Sequence, residues 1–347
     1  MVVVVFSDWD IDGAVSAAEI LYSQAVLGMY PVDKKCNVEL IPTSPRSIAR
    51  DFRNIKDVEV EYIIILDIAY SKFMNKVLSV FKEKGVEVLY VDHHISTAIH
   101  ADEIRSRTVN LVIGKSATAI LVYNLLKSHG LDVTDRLRAF IEAVSVIEKG
   151  DDKFRIKSID RRLVDIVVAI SRTLIKSKSR DLWIKTVNWL TEPLPRLSIP
   201  FSIDIKQFVS RSQNDFKELK AIANEIALSA IRIFNMRFID ISHRNYPYKS
   251  TSIASALYRL LKTPVFLLAK SRQGRKILVI KSNGTLAYDI ALHLYRAGIA
   301  KDIVGHQTLT ISLLRPDVSK EVVLQKIREI ITSGPAGIRT RDHGDLR

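Results

Sequence analysis

The chain has 347 residues, 47% of them apolar, and carries a formal net charge of +14 with a pI of about 9.7. This length allows two domains, and the single cysteine, Cys36, excludes a disulfide framework and favours a reducing cytoplasm. No apolar run reaches the roughly 18 residues of a transmembrane helix, and the positive charge favours a polyanionic partner, with nucleic acid ahead of a membrane surface.

The first part of the chain alternates between predicted strands and predicted helices. The apolar runs MVVVVFS, VEVEYIIILDI and VEVLYVDHH predict three strands, whereas AVSAAEILYSQAVL, SKFMNKVLSVFKEKG and TAILVYNLLKSHG have helical spacing. This alternation predicts a parallel α/β sheet with helices on both faces. Ligands of such sheets bind at the carboxyl ends of the strands.

The middle of the chain is predicted to be helical, and the last third to form a smaller α/β domain. RLRAFIEAVSVIEKG and LVDIVVAISRTLI are amphipathic, and FVSRSQNDFKELKAIANEIALSAIRIF predicts one long connecting helix. Beyond it, RFIDISH, PVFLLAKS, ILVIKS and TLTISLLR predict strands, and STSIASALYRLL and TLAYDIALHLYRAG predict helices. We expect domains at 1–190 and 238–332, a helical connector at 191–237, and a disordered tail at 333–347.

Acidic and imidazole side chains follow each predicted strand of the first domain. Because parallel strands end at one edge of a sheet, these side chains are expected to converge. Carboxylates and imidazoles without thiolates suit Mn²⁺ or Mg²⁺ before Zn²⁺, and the excess of carboxylates predicts two ions that activate a water against a phosphate diester. The residues are Asp8, Asp10 and Asp12 after the first strand, Asp67 after the second, Asp92, His93 and His94 after the third, and Asp151 and Asp152 after a helix.

Each of these residues also has an ordinary structural interpretation. Asp8, Asp10 or Asp12 can cap the next helix, and Asp67 alone would most often be a turn residue. Two adjacent histidines are usually hydrogen-bonded without a catalytic role. The complete set, at three strand ends, is what indicates a metal site.

At these residues the chain resembles the DHH phosphoesterase superfamily and, within it, the RecJ-like nucleases. The name-giving Asp-His-His corresponds to Asp92, His93 and His94 in YVDHHIS, and the D-x-D-x-D-G motif corresponds to DWDIDG at residues 8–13. The second motif matches Asp67 in IIILDIA. The fourth motif matches EKGDD, with Asp151 preferred and Asp152 as the rival.

The resemblance implies a role for each residue. It implies catalytic roles for Asp92, His93 and His94, in which His94 contacts the scissile phosphate and Asp92 orients an imidazole. Asp67 would bridge two ions. The first ion would be held by Asp10 and Asp67 with Asp8 nearby, and the second by Asp12, Asp67, His93 and Asp151.

The last third resembles the DHHA1 substrate-binding domain more weakly. The serine-containing strand end of that domain corresponds to Lys281 and Ser282 in IKSNG. Its G-G-G-H loop corresponds to DIVGHQTLTIS, which keeps only Gly305 and His306. Because β-branched residues replace two glycines, fewer backbone amides can turn toward a substrate phosphate.

The expected function is that of a manganese-dependent exonuclease on single-stranded DNA or RNA, with two Mn²⁺ ions, Mg²⁺ as a possible substitute, and a role in DNA repair. Basic residues of the second domain would hold the strand, and for RQGRK at residues 272–276 the alternative is a solvated hairpin turn. Two alternatives stay open: an oligoribonucleotide or cyclic-dinucleotide phosphodiesterase, and a non-catalytic RecJ-like partner of the archaeal replicative helicase and its GINS subunits. Replication or repair proteins are thus possible partners, and no membrane is expected. The basic residues are Lys270, Arg272, Arg275, Lys276 and Lys281.

Overall fold

The described part of the chain forms two β-sheets, each with its own helices. The computed structural model describes residues 2–53, 55, 60–107, 109–149, 160–198, 217–271 and 273–333. Contacts divide the chain into two units, one within residues 1–210 and the other within 211–347. The α/β class, with a parallel first sheet and a second sheet, is confirmed. The domain bounds at residues 190 and 237 stay predictions.

The first sheet has five parallel strands in the order β2-β1-β3-β4-β5. Its central strands are continuous apolar runs because helices cover both faces, and Val3, Val4, Val5 and Phe6 have no exposed surface. The edge strand β2 was not predicted, since its Pro42 argues against a strand except at an edge. The strands are β1 (Val2–Asp8), β2 (Asn37–Thr43), β3 (Val60–Leu66), β4 (Glu87–Asp92) and β5 (Val109–Ile113).

Helices pack on both faces of this sheet. One face carries α1, α6, α7, α8 and α9 around a core that includes Phe140 and Trp183, and the other carries α2, α3 and α5 around Phe52 and Phe81. A π-helix at Tyr22–Leu27 continues α1. The helices are α1 (Ile11–Leu21), α2 (Ile48–Arg53), α3 (Lys72–Glu83), α4 (Ile95–Ile99), α5 (Ala101–Arg105), α6 (Thr118–Ser128), α7 (Asp135–Lys149), α8 (Arg161–Ser177) and α9 (Arg180–Thr191).

The second sheet has six strands in the order β10-β11-β9-β8-β7-β6, parallel only between β7 and β8. Its helices are α10 (residues 217–227), α11 (Ser250–Leu261), α12 (Leu286–Arg296) and α13 (Lys320–Ser333). No described helix is long and apolar enough to cross a membrane. The strands are β6 (Ile231–Ile233), β7 (Met236–Asp240), β8 (Val265–Lys270), β9 (Lys276–Lys281), β10 (Ala300–His306) and β11 (Leu309–Leu314).

Two predictions for this unit were wrong. The AIRIF end of the predicted connecting helix is strand β6, because Ile231–Ile233 pair in antiparallel fashion with β7. The DIVGH segment, predicted as a loop, is strand β10, which pairs with β11 across a two-residue turn. Gly305 has a φ of 115° there, and a Cβ at this position would lie 2.3 Å from the carbonyl oxygen of Leu309. The predicted tail beyond residue 333 lies outside the described residues.

Candidate metal centre

The three strands that end in acidic residues are neighbours in the first sheet. Ser7 of β1 pairs with Leu66 of β3, and Leu66 pairs with Val91 of β4. The next residue of each chain segment is an aspartate, so Asp8, Asp67 and Asp92 lie in one row across the carboxyl ends of β1, β3 and β4. The pairing register thus brings the three strand ends together, as the sequence predicts.

Asp67, His93 and His94 form a compact group of possible ligand atoms. One atom from each of the three side chains can be chosen so that all lie within 4.8 Å of one another. The His93 Nε2 atom is 3.3 Å from Asp67 Oδ1, and the His94 Nδ1 atom is 3.9 Å from the same oxygen. Asp67 has a φ of 58°, and its N–H donates to the Val91 carbonyl at 3.0 Å. Aspartate tolerates this left-handed conformation better than most residues.

Asp12 joins this group through the first turn of α6. Its two carboxylate oxygens accept the backbone N–H groups of Thr118 and Ala119, each at 2.8 Å. The Thr118 hydroxyl donates to Asp67 Oδ1 at 2.9 Å, and His93 Nε2 is 3.9 Å from Asp12 Oδ2. Asp12 is therefore a cap of α6 as well as a neighbour of His93. Each carboxylate oxygen still has a lone pair for a cation.

Two hydrogen bonds and a close backbone approach fix the turn between β1 and α1. Asp10 is the N-cap of α1 and accepts the Gly13 N–H at 3.1 Å. The Trp183 indole of α9 donates to the carbonyl oxygen of Asp8 at 3.2 Å. A Cβ on Gly13 would lie 2.5 Å from that carbonyl oxygen and 2.9 Å from the Asp8 nitrogen. Only glycine lets α1 begin this close to the end of β1.

Asp92 orients the second histidine of the motif. Its Oδ1 is 2.7 Å from His94 Nδ1, and its Oδ2 accepts the hydroxyl of Thr97. The Thr97 oxygen in turn accepts the Tyr70 N–H at 2.9 Å. Thr97, which is fully buried, thus connects the segment after β3 to the carboxylate that holds His94.

The predicted substrate residues of the second unit gather at one end of its sheet. Leu309 pairs with His306 on one side and with Lys281 on the other. The Lys281 Nζ atom donates to Thr308 Oγ1 at 3.1 Å, and the buried Ser282 donates its N–H to the Thr308 carbonyl at 3.0 Å. Gly305 precedes His306 on β10.

The basic residues proposed to hold a strand are not one cluster. Lys270, the last residue of β8, pairs with Lys276, the first residue of β9, so both lie at the hairpin turn between these strands. Lys281 is the last residue of β9, at the opposite end of the strand. Arg272 lies outside the described residues. The described basic residues are therefore divided between two ends of the sheet.

No protein-family model and no curated protein matches the sequence. Solved structures with similar folds do exist. A DHH domain described as belonging to a family of ribosomal proteins has a TM-score of 0.59 at 14% identity, over 95% of this chain and 86% of that one. RecJ from Thermus thermophilus in complex with Mn²⁺ has a TM-score of 0.54 at 15% identity, over 96% of this chain. An exopolyphosphatase-related protein from Bacteroides fragilis has a TM-score of 0.51 at 12% identity, over 94% and 90% of the two chains.

This chain has the DHH-domain fold. The similarity spans both units, although the chain covers only 52% of the length of that RecJ. The resemblance found in the motifs is thereby confirmed at the level of the fold.

Burial raises the pKa of several carboxyl groups in the DHH-fold site. Burial, then the charges of Asp12 and Asp10, raise the pKa of Asp67 well above its usual value. Burial and the neighbouring Asp10 raise the pKa of Asp8 to about 7, and burial raises that of Asp10 as well. Crowded carboxylates of this kind repel one another unless a cation lies among them.

Asp92 and His94 form a pair of opposite charge. Burial alone would lower the pKa of His94, but the charge and hydrogen bond of Asp92 raise it to about 9. Burial opposes ionisation of Asp92, yet His94 and Thr97 bring its pKa below the usual value. At neutral pH the pair is therefore a carboxylate beside an imidazolium.

Glu148, near the end of α7, was not predicted as a site residue. The pKa of Asp12 is raised to about 6. Burial is the main cause and the negative charge of Glu148 adds to it, whereas His93 opposes the rise. The charge of a residue at the end of α7 thus acts on Asp12, and this residue lies three positions before the predicted ligand Asp151. Asp151 and Asp152 lie outside the described residues. The helical spacing of EAVSVIEKG could have indicated Glu148, because a helix that ends near the site also brings the residues of its last turn near it.

Proposed function

We propose that this chain is a metal-dependent phosphodiesterase of the DHH type that hydrolyses single-stranded nucleic acid as a RecJ-like exonuclease. The observation that carries the proposal is the convergence of Asp67, His93 and His94 at the ends of adjacent parallel strands, where His93 Nε2 lies 3.3 Å from Asp67 Oδ1 and Asp92 holds the His94 ring. The buried carboxylate of Asp12 lies against this group.

The donor set fits two divalent ions. It offers carboxylate oxygens and one imidazole nitrogen without a thiolate, which suits Mn²⁺ or Mg²⁺. When bound, the ions would supply a water activated for attack and would neutralise charge on the phosphate. Asp10 and Asp67 would hold the first ion with Asp8 nearby, and Asp12, Asp67 and His93 the second, completed by Asp151.

The remaining motif residues would orient the substrate. Because Asp92 holds the Nδ1 atom of His94, the Nε2 atom is the one that can donate to a phosphate oxygen. The carboxylate of Asp92 raises the pKa of His94 and so favours the cationic ring, which suits a phosphate ligand. In the second unit, Lys281, Ser282, Gly305 and His306 would bind a further part of the substrate.

Charge supports a nucleic-acid substrate. The formal net charge of +14 attracts a polyanion, and a single strand has phosphates along its whole length. The completeness of the D-x-D-x-D-G and Asp-His-His motifs favours catalysis over a purely structural role, since an assembly factor has no need of these ligands.

The test is hydrolysis of end-labelled single-stranded DNA and RNA of several lengths, and of cyclic dinucleotides, in Mn²⁺. We expect stepwise shortening of the single strands, and no shortening by Asp67→Asn or in EDTA. If only cyclic dinucleotides were hydrolysed, the substrate would be a small nucleotide and not a polymer. If the folded protein showed no Mn²⁺-dependent hydrolysis, the proposed enzymatic function would be rejected.

A further inference from the structure

Helix α9 contacts the turn that carries the first aspartates of the metal centre. Its Trp183 has no exposed surface, and the indole N–H donates to the Asp8 carbonyl at 3.2 Å across 175 residues of sequence. An indole offers one donor and no acceptor, so this hydrogen bond satisfies the only polar atom of the side chain. Loss of the indole N–H would leave the carbonyl at the end of β1 without this donor, which costs free energy in a buried position.

The peptide between Asp8 and Trp9 connects this contact to a carboxylate. A trans peptide is planar, and its C=O and N–H point in opposite directions, so the indole that fixes the Asp8 carbonyl also fixes the Trp9 N–H. Burial and the neighbouring Asp10 raise the pKa of Asp8, and a hydrogen bond from the Trp9 N–H opposes this rise. The peptide that Trp183 holds therefore also presents a donor to the Asp8 carboxylate.

The same carbonyl oxygen faces the first turn of α1. A Cβ on Gly13 would lie 2.5 Å from this oxygen, and the Gly13 N–H donates to Asp10 Oδ1 at 3.1 Å. The Ser7 hydroxyl closes the turn by donating to the Gly13 carbonyl at 2.8 Å. Because these contacts are close, a rotation of the peptide after Asp8 would also displace the turn that carries Asp10.

Helix α9 is itself anchored at both ends. At its beginning, Arg180 donates to the Leu40 carbonyl of β2 at 3.4 Å. At its end, the buried Arg136 of α7 donates from Nη1 to the Trp189 carbonyl at 2.8 Å. These contacts tie the helix to the sheet and to α7, so the Trp183 indole is a donor of fixed position. Donors on rigid elements are the ones that hold a metal or catalytic site in one geometry.

We propose that Trp183 is a positioning residue of the metal centre, which holds the turn of Asp8 and Asp10 in the arrangement that binds divalent ions. This inference rests on the proposed function, in which these two aspartates lie at the first ion. Groups that orient metal ligands through a hydrogen bond contribute roughly 10–100-fold to metal affinity or activity. Trp183 lies outside every motif of the chain and reaches the turn only through the packing of α9.

Trp189 provides a matched control in the same helix. It is 1% exposed, and its indole nitrogen has no hydrogen-bond partner among the described residues. Its ring contacts Phe140 and Arg136 near the other end of α9. Each tryptophan is replaced by phenylalanine and, separately, by benzothienylalanine, in which sulfur replaces the indole N–H and both fused rings are kept. The second replacement removes the donor at either position while it retains the packing.

The test measures Mn²⁺ affinity by calorimetry and, in metal-free protein, hydrogen exchange of the amides of residues 9–13. We expect both replacements of Trp183 to weaken Mn²⁺ binding by roughly tenfold. Exchange in this segment should become faster, because the turn opens more often once the donor is lost. Both replacements of Trp189 should bind Mn²⁺ as the wild type does.

Benzothienylalanine at position 183 decides between orientation and packing. Wild-type Mn²⁺ affinity or wild-type exchange of residues 9–13 in that protein would overturn the inference, and so would an equal loss of affinity when position 189 is replaced. A wild-type protein that binds Mn²⁺ and shortens single strands upholds the proposed function in each of these cases. Failure of the wild type to bind Mn²⁺ would instead reject the metal-dependent function itself.

Discussion

Asp67 is the residue on which the metal centre depends most. It lies among the charges of Asp12 and Asp10, and it contacts the ring of His93. We expect Asp67→Asn to abolish the rise in Tm that Mn²⁺ causes, together with hydrolysis. The metal-free variant should be at least as stable as the wild type, because asparagine needs neither a proton nor a cation to be neutral among the neighbouring carboxyl groups. Asparagine is chosen because it also tolerates the φ of 58°.

Thermal unfolding with and without Mn²⁺ measures both effects of Asp67→Asn. At a ligand concentration of 100 Kd, binding stabilises a protein by about 2.7 kcal/mol, which is a clear shift in Tm. Asp102→Asn, at an exposed aspartate of α5, is the control and should respond to Mn²⁺ as the wild type does. A normal Mn²⁺ response by Asp67→Asn would place the ions elsewhere.

Thr97 is expected to act through Asp92. Thr97→Val keeps the shape of the side chain and removes the hydroxyl that donates to the Asp92 carboxylate. The loss of a hydrogen bond to a charged group costs roughly 1.5–3 kcal/mol of stability. Because Asp92 then holds His94 less well, kcat should fall more than KM rises. Thr97→Ser retains the hydroxyl and should restore kcat, whereas a purely packing role would leave serine no better than valine.

The raised carboxyl pKa values predict how metal binding depends on pH. The pKa values of Asp8 and Asp12 are about 7 and about 6, against a usual value of 3.8. Metal-free protein therefore holds protons that the unfolded chain has lost, and its stability falls as pH rises from about 4 to about 7. The pKa of His94, raised from 6.5 to about 9, adds a further loss between those values.

Mn²⁺ should reverse this trend, because it replaces the bound protons. We expect its affinity to rise by roughly tenfold per pH unit for each proton displaced, until the carboxyl groups are ionised. Titration of the protein with Mn²⁺ at pH values of about 5.5, 6.5 and 7.5 tests this expectation, since these values span the titration of the buried carboxyl groups. An affinity that does not change over this range would show that the buried carboxyl groups are not the ligands.

At the scale of elements, the contact between β1 and α1 depends on Gly13. Alanine in a helix is usually more stable than glycine by roughly 0.5–1 kcal/mol, yet here its Cβ would meet the Asp8 backbone at 2.5 Å. We expect Gly13→Ala to lower the free energy of unfolding by roughly 1–3 kcal/mol, as overpacking does. Gly114→Ala should cost less, because its Cβ would meet the movable end of the Leu121 side chain. Denaturant unfolding compares the two, and an equally stable Gly13→Ala would contradict the close approach.

Apolar runs allowed the sequence to predict the elements that carry the site. The runs before Asp8, Asp67 and Asp92 are strands because both faces are covered, and such strands need little context to be recognised. Strand β6 was missed because its three residues continue the apolar spacing of the preceding helix. The contact between Asp12 and Thr118 spans 106 residues, and the charge of Glu148 acts on Asp12 from another helix. Only the packed helices bring these groups together, so no local pattern could indicate them.

At the scale of the whole molecule, the net charge of +14 predicts how binding responds to salt and to substrate length. Each phosphate of a single strand that the protein neutralises lowers log K by roughly 0.7 per unit of log salt. We therefore expect a steep salt dependence for a long single strand, a shallow one for a dinucleotide, and tighter binding of the long strand.

His306→Ala distinguishes the contribution of the second unit from that of general charge. Gly305 and His306 lie in strand β10, which pairs with β11, rather than in an open glycine-rich loop, so the imidazole should be the main contact there. Loss of the imidazole should weaken binding of the dinucleotide by a larger factor than binding of the long strand, since the long strand keeps its other contacts. The measurement is Kd against salt for both substrates and both proteins. Equal affinity for the two lengths in the wild type, with little salt dependence, would favour a small-nucleotide phosphodiesterase, because a pocket that encloses one or two nucleotides gains nothing from a longer chain.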